Sequence, residues 1–145
     1  MPSGALHRTV YMSTAVGVLR AEELDRIYLR SKSANSREGI TGLMLFYEGV
    51  FLQVLEGPVA GVTSLMEKIR RDRRHANLVV LESGAVQARS FHQSPMHFIA
   101  ARNLSAGEKQ AFSDLRQEVA ARPGALLAGP GLSDFLAVFA AAKTA

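Results

Sequence analysis

The chain has 145 residues, 48% of them hydrophobic and 21% charged, a composition suited to one domain with its own core and not to a disordered segment. It contains no cysteine, which excludes disulfides, thiolate catalysis, cysteine-based metal sites and any light-driven thiol adduct to a cofactor. The net charge of +4 invites a nucleic-acid reading, yet much of the basic excess is one block, RRDRRH at 70–75, which suits a solvated helix end or the receipt of a phosphate group.

Residues 6–13 (LHRTVYMS) alternate as a strand, with Thr9 and Tyr11 on one face and Val10 and Met12 on the other. Residues 21–35 read as a helix: Leu24, Ile27, Tyr28 and Ser31 recur at helical spacing, and Glu22 and Glu23 occupy the favourable first turn. Asn35 falls four residues after Ser31, so two polar groups end that inward face and mark a wet or ligand-lined spot. After Gly39, residues 40–47 and 50–56 are two strands joined by a short Glu-Gly turn. Residues 59–71 carry a helical stripe of Val62, Leu65, Met66 and Ile69, which Asp72 extends by a turn and Lys68 flanks. Residues 77–81 and 96–100 complete the strands. A helix at 106–121, a Pro/Gly break and a final helix with Ser133 as its N-cap follow. Their stripes, Phe112, Leu115 and Val119, then Phe135, Leu136 and Phe139, need a surface to cover. The order β-α-β-β-α-β-β predicts an α+β, ferredoxin-like sheet with two helices on one face and a C-terminal two-helix extension. We expect a domain at 1–102 and an extension at 103–145 that packs on the free sheet face or on a partner.

One residue in the strand at 50–56 demands a partner. Gln53 shares a face with Phe51 and Leu55, while Val50, Leu52 and Val54 make the opposite face equally apolar, so both sides are covered. A buried amide costs about 1–3 kcal/mol if its donors and carbonyl go unmet. A neighbouring side chain or a buried water would meet them. Tyr11, Asn35, Gln53 and Asp72 can all face one space between helices and sheet. Together their phenol, amide and carboxylate groups could hydrogen-bond a flat heterocycle with carbonyls and ring nitrogens, the basic block lying near its phosphate end. Singly, each has a plainer reading, as a core tyrosine, a helix C-terminal asparagine or a solvated aspartate. The usual catalytic signatures are absent: the four histidines lack a metal spacing, and no GxSxG, P-loop or GxGxxG occurs.

Three segments, NSREGITG (35–42), FLQVLEGP (51–58) and RRDRRH (70–75), preceded by the tyrosine of TVYMS (9–13), resemble the BLUF family of flavin-binding blue-light receptors over roughly residues 5–100. The resemblance implies a flavin ring lying between the two helices against the sheet. It makes Tyr11 the photoactive tyrosine, Gln53 its glutamine partner and Asn35 the residue bonding the ring's polar edge. Lys68 then approaches the ring, Asp72 the ribityl chain, and Ile27 and Ile69 form apolar walls; Arg71, Arg74 and His75 are candidates for the phosphate end. FAD is the family's usual ligand, and FMN or riboflavin could occupy the same ring pocket. With no tryptophan in the chain, the tyrosines are Tyr11, Tyr28 and Tyr47, and Tyr11 is the one beside Gln53. Blue light would drive electron and proton transfer from Tyr11 through Gln53. Recombination would leave the glutamine rotated or tautomerised, with an altered hydrogen bond to the flavin C4 carbonyl and a small red shift. Where the family often has a tryptophan two residues before the methionine of its last strand, this chain has Ser94, Pro95 and Met96, leaving Met96 as the side chain able to exchange near Gln53.

The resemblance implies a sensor and not an enzyme, signalling by conformation to a separate downstream protein. Homo-oligomerisation is expected from the FLAVFAAA stretch (135–142), apolar around most of a helix. No apolar run approaches the ~20 residues needed to cross a bilayer, and MPSGALHR is not a signal peptide, so the expected location is the cytoplasm, with no membrane partner. The alternative is a ferredoxin-like nucleic-acid-binding module using the basic surface, disfavoured because the K/R-G-F/Y-G/A-F-V stacking pattern is missing. A small acyl- or phosphate-transfer enzyme on the same fold would need an anion-binding loop that the sequence lacks.

Overall fold

Alternation along the strands sorts the side chains into two faces, and the chain covers both. The computed structural model describes residues 5–91, 97–100, 104–121, 135 and 137. Its strands are β1 (Leu6–Ala15), β2 (Thr41–Tyr47), β3 (Val50–Pro58), β4 (His75–Val86) and β5 (His97–Ala100); its helices are α1 (Ala21–Glu38), α2 (Val59–Arg71) and α3 (Ala106–Ala121). The strands form one sheet in the order β4-β1-β3-β2-β5. All neighbours are antiparallel except β5, which lies parallel to β2. The first four strands and α1 and α2 make the α+β, ferredoxin-like unit, and β5 extends its edge.

Local chemistry sets the element ends. The β2–β3 hairpin turns on Glu48 and Gly49, with φ of 51° and 78°, the left-handed pair that matches strand twist. At the start of α1 the Glu23 carboxylate accepts the Arg20 N–H at 3.0 Å. The helix ends at Gly39, whose φ of 69° lets its N–H return to the Asn35 carbonyl. Ser105 and Glu108 cap α3 reciprocally, at 2.8 and 3.1 Å.

One sheet face carries Tyr11, Met44, Phe51 and Leu55, covered by Leu24, Ile27 and Tyr28 of α1 and Val62, Leu65, Met66 and Ile69 of α2. The other carries Val10, Met12, Leu43, Leu45, Leu52 and Val54, in one buried cluster with Phe112 and Leu115 of α3 and with Phe135. This is why β3 is apolar on both sides. Gly42 of β2 sits where a Cβ would lie 1.9 Å from the Val54 carbonyl oxygen. Gly42→Ala is expected to destabilise the protein by about 1–3 kcal/mol, seen as a lower urea midpoint, and an unchanged midpoint would refute this close approach of β2 to β3.

The structure departs from the sequence expectations at several ends. β4 spans His75–Val86 instead of 77–81, because pairing with the long β1 carries it through Glu82, Ser83 and Gly84, where no alternation announces a strand. Helix α1 runs on to Glu38, and Asp72 is an extended C-cap with ψ of 119°, not a further helical turn of α2. Ser94, Pro95 and Met96 lie outside the described residues, as does Ser133; Phe135 and Ala137 are helical.

Candidate functional site

The sheet register builds the site's floor. Tyr11 of β1 stands directly across from Gln53 of β3, which in turn faces Met44 of β2. The Tyr11 hydroxyl donates to Oε1 of Gln53, and both side chains are buried. Burial first, and then the Asp72 carboxylate, push the Tyr11 phenol above the ordinary tyrosine range, so the proton stays on Oη at neutral pH.

Above this pair lies a cavity of about 380 Å³, inside the roughly 300–1,000 Å³ range of small-molecule sites. Ile27 and Ala34 of α1 and Leu65 and Ile69 of α2 form apolar walls over Met44 and Phe51. Ser31, Lys68, Asp72 and His75 add polar groups, and Arg30, Arg37 and Arg74 complete the lining. Because α2 ends at Arg71, the chain turns and aims Asp72 at Arg74. The carboxylate accepts the Arg74 backbone N–H at 3.0 Å and Nε at 2.9 and 3.1 Å, and Nη2 also donates to it. These hydrogen bonds hold the Asp72 carboxyl below the usual carboxylate range although burial opposes them, and they push the Arg74 guanidinium up. His75 Nε2 lies 2.7 Å from the Ile69 carbonyl, which can only accept, so Nε2 carries a proton. In the neutral ring Nδ1 then accepts from the Ser13 hydroxyl at 2.7 Å. That chain ties β1 to the last turn of α2.

Of the residues singled out in the sequence, Tyr11, Ile27, Gln53, Lys68, Ile69, Asp72, Arg74 and His75 line this cavity. Asn35 is fully buried one residue beyond Ala34, its carbonyl receiving the N–H groups of Gly39 and Ile40, but it is not part of the lining. Arg71 is exposed on α2 and does not line it either. Met96 lies outside the described residues. Sequence reasoning passed over Arg30 and Arg37, although they fall three and ten residues after Ile27, on the flank of its helical stripe. It also passed over Glu56, a fully buried carboxylate in the strand of Gln53. Strand alternation puts Glu56 with Leu52 and Val54, and a carboxylate on so apolar a face signals a buried cation nearby. Among the described residues no group of three or more histidines and acids is placed to hold a metal, and no helix is long and apolar enough to cross a membrane.

Comparison with known proteins yields one family. The model of the family described as sensors of blue light using FAD matches residues 6–97. The photoactivated adenylate cyclase subunit alpha of Euglena gracilis is 34% identical over 98 residues, 68% of this chain and 10% of that protein. The beta subunit of Euglena longa is 33% identical over 81 residues, 56% of this chain and 9% of that protein. The chain thus spans about a tenth of the length of these curated relatives. Among solved structures, a bacterial light-regulated adenylyl cyclase matches with a TM-score of 0.71 at 34% identity, over 80% of this chain and 34% of the other. The photo-activated state of BlsA matches with a TM-score of 0.77 at 26% identity, over 93% and 94% of the two chains. The dark state of BlrB, at 23% identity and a TM-score of 0.77, shares the fold over 95% and 97%.

Proposed function

Because this chain belongs to the BLUF family, the sensors of blue light using FAD, we propose that it is a photosensor holding a flavin non-covalently in the cavity between α1, α2 and the sheet. The observation that carries the reading is the buried Tyr11–Gln53 hydrogen bond on the floor of that cavity. The residues present fit a flavin. Ile27, Leu65 and Ile69 suit the faces of a flat aromatic ring, while Gln53, Lys68, Asp72 and Ser31 offer donors and acceptors to a polar edge.

A bound flavin would supply absorption of blue light and an excited state that accepts an electron. Tyr11 would give up an electron together with its Oη proton, and Oε1 of Gln53 would receive that proton; the hydrogen bond between them supports both roles. The Gln53 amide has an acceptor end and a donor end, so its rotation or tautomerisation changes which group it presents to the cavity. Asn35, buried beside Ala34, is assigned to the ring's polar edge, and Met96 to exchange of contacts near Gln53. The same reading puts the sensor domain at 1–102 and the extension at 103–145, with output by conformational change toward a downstream protein or a second copy. We propose sensing, not catalysis, as the role of this chain; cyclase activity is in the names of relatives of which it matches about a tenth.

Protein loaded with FAD is expected to be yellow, to shift its absorption slightly to longer wavelength after blue light, and to return in the dark. A colourless protein that cannot be loaded with any flavin would overturn the reading.

A further inference from the structure

The cavity lining carries positive charge that the protein does not neutralise. Arg74 is committed to Asp72 through its backbone N–H, Nε and Nη2. His75 is committed to Ser13 and the Ile69 carbonyl. Arg71 does not line the cavity. The basic block at 70–75, the natural sequence candidate for a phosphate, therefore has its two cavity-facing members occupied within the fold. Arg30 and Arg37 of α1 are in the opposite condition. Both line the cavity and are exposed, and neither makes an ion pair or side-chain hydrogen bond among the described residues. They are seven residues apart, two helical turns, so they project from one side of α1 with Cα atoms about 10 Å apart. Two guanidinium groups so placed can close on one phosphate group, with the planar fork that suits it.

We propose that Arg30 and Arg37 form a phosphate-binding clamp at the edge of the flavin cavity, so that the protein selects phosphorylated flavins over riboflavin. The inference rests on the flavin reading above and moves the phosphate end from the 70–75 block to α1.

The test is titration of the full chain with riboflavin, FMN and FAD, followed by flavin fluorescence at low and high salt. FMN and FAD are expected to bind at least tenfold more tightly than riboflavin at low ionic strength, and added salt should narrow the gap because the clamp is exposed. Arg30→Gln combined with Arg37→Gln should abolish the preference, and a circular dichroism spectrum and urea midpoint like those of the wild type show that the variant is folded. Equal binding of all three flavins at low salt would overturn the clamp and leave the flavin site standing, whereas failure to bind any flavin removes both. Tight binding of FAD with FMN no better than riboflavin would also overturn it, since adenosine and not phosphate would then make the difference.

Discussion

Replacing Gln53 with leucine is expected to leave a protein that still binds flavin but shows no red shift after blue light. Leucine has nearly the same volume and keeps the apolar contacts of β3, so the cavity walls stay in place. What it removes is the one group seen to accept the Tyr11 hydroxyl. The phenol stays protonated because burial and the Asp72 carboxylate both raise its pKa, and without Oε1 that proton has lost its acceptor. Stranding a buried hydroxyl costs about 1–3 kcal/mol, offset in part by the more apolar side chain, so the fold survives. Tyr11→Phe is the complementary change: Gln53 remains, the proton donor does not, and the ordinary photocycle should stop. A red shift of wild-type size in Gln53→Leu would sink the proposed mechanism for this chain. The raised phenol pKa also fixes a pH dependence. The folded state holds the Tyr11 proton more tightly than the unfolded chain, so this contribution to stability is fully present below the ordinary tyrosine value of about 10 and is lost as pH rises beyond it. The light response should accordingly persist through pH 9.

Glu56→Ala is expected to destabilise the protein by about 3–5 kcal/mol, the usual cost of breaking a buried ion pair from one side. Glu56 is fully buried, with Oε2 accepting Arg8 Nε at 2.8 Å and Oε1 accepting the backbone N–H groups of Ser90 and Phe91 at 2.8 and 2.9 Å. Arg8 also donates to the Ser90 hydroxyl at 2.8 Å. Removing the carboxylate therefore strands two amides and leaves a largely buried guanidinium with only the Ser90 hydroxyl and the longer contact to Glu82 at 3.4 Å. Arg89 adds a second tie, donating to Thr41 Oγ1, the Glu56 carbonyl and the Gly39 carbonyl at 2.9, 2.9 and 2.8 Å. These contacts pin residues 89–91 to the end of α1 and to β3, just before the segment that contains Met96. Against a total stability of about 5–15 kcal/mol for a domain, the loss should appear as a large fall in urea midpoint. Glu56→Leu combined with Arg8→Met should recover only part of it: neither member of the pair is left as a lone buried charge, but the Ser90 and Phe91 amides and Glu82 lose their partners. An unfolding free energy for Glu56→Ala within about 1 kcal/mol of wild type would show that the pair contributes little.

The faces of the elements were legible from local pattern. Period-two alternation assigns Gln53 to the side of Phe51 and Leu55, and helical spacing assigns Ile27 and Ile69 to inward stripes; the structure has each there. The FLQVLEGP segment pointed to the family through its residue identities, and the family match over residues 6–97 agrees. Other features depended on distant chain. Nothing local in His75–Val86 marks a twelve-residue strand, because its length comes from pairing with β1. Glu56 was visible as a carboxylate on an apolar face, but its partners come from residue 8 and residues 90–91, brought together by sheet order. Likewise Arg74 and Arg30 are both arginines near a helix, and only the turn after α2 shows that Asp72 occupies the first and leaves the second facing the cavity. The sequence by itself determined which side chains are turned inward, since that follows from the pitch of a strand or helix. The tertiary structure decided which inward groups meet, since register and helix docking are set by contacts among residues far apart in the chain.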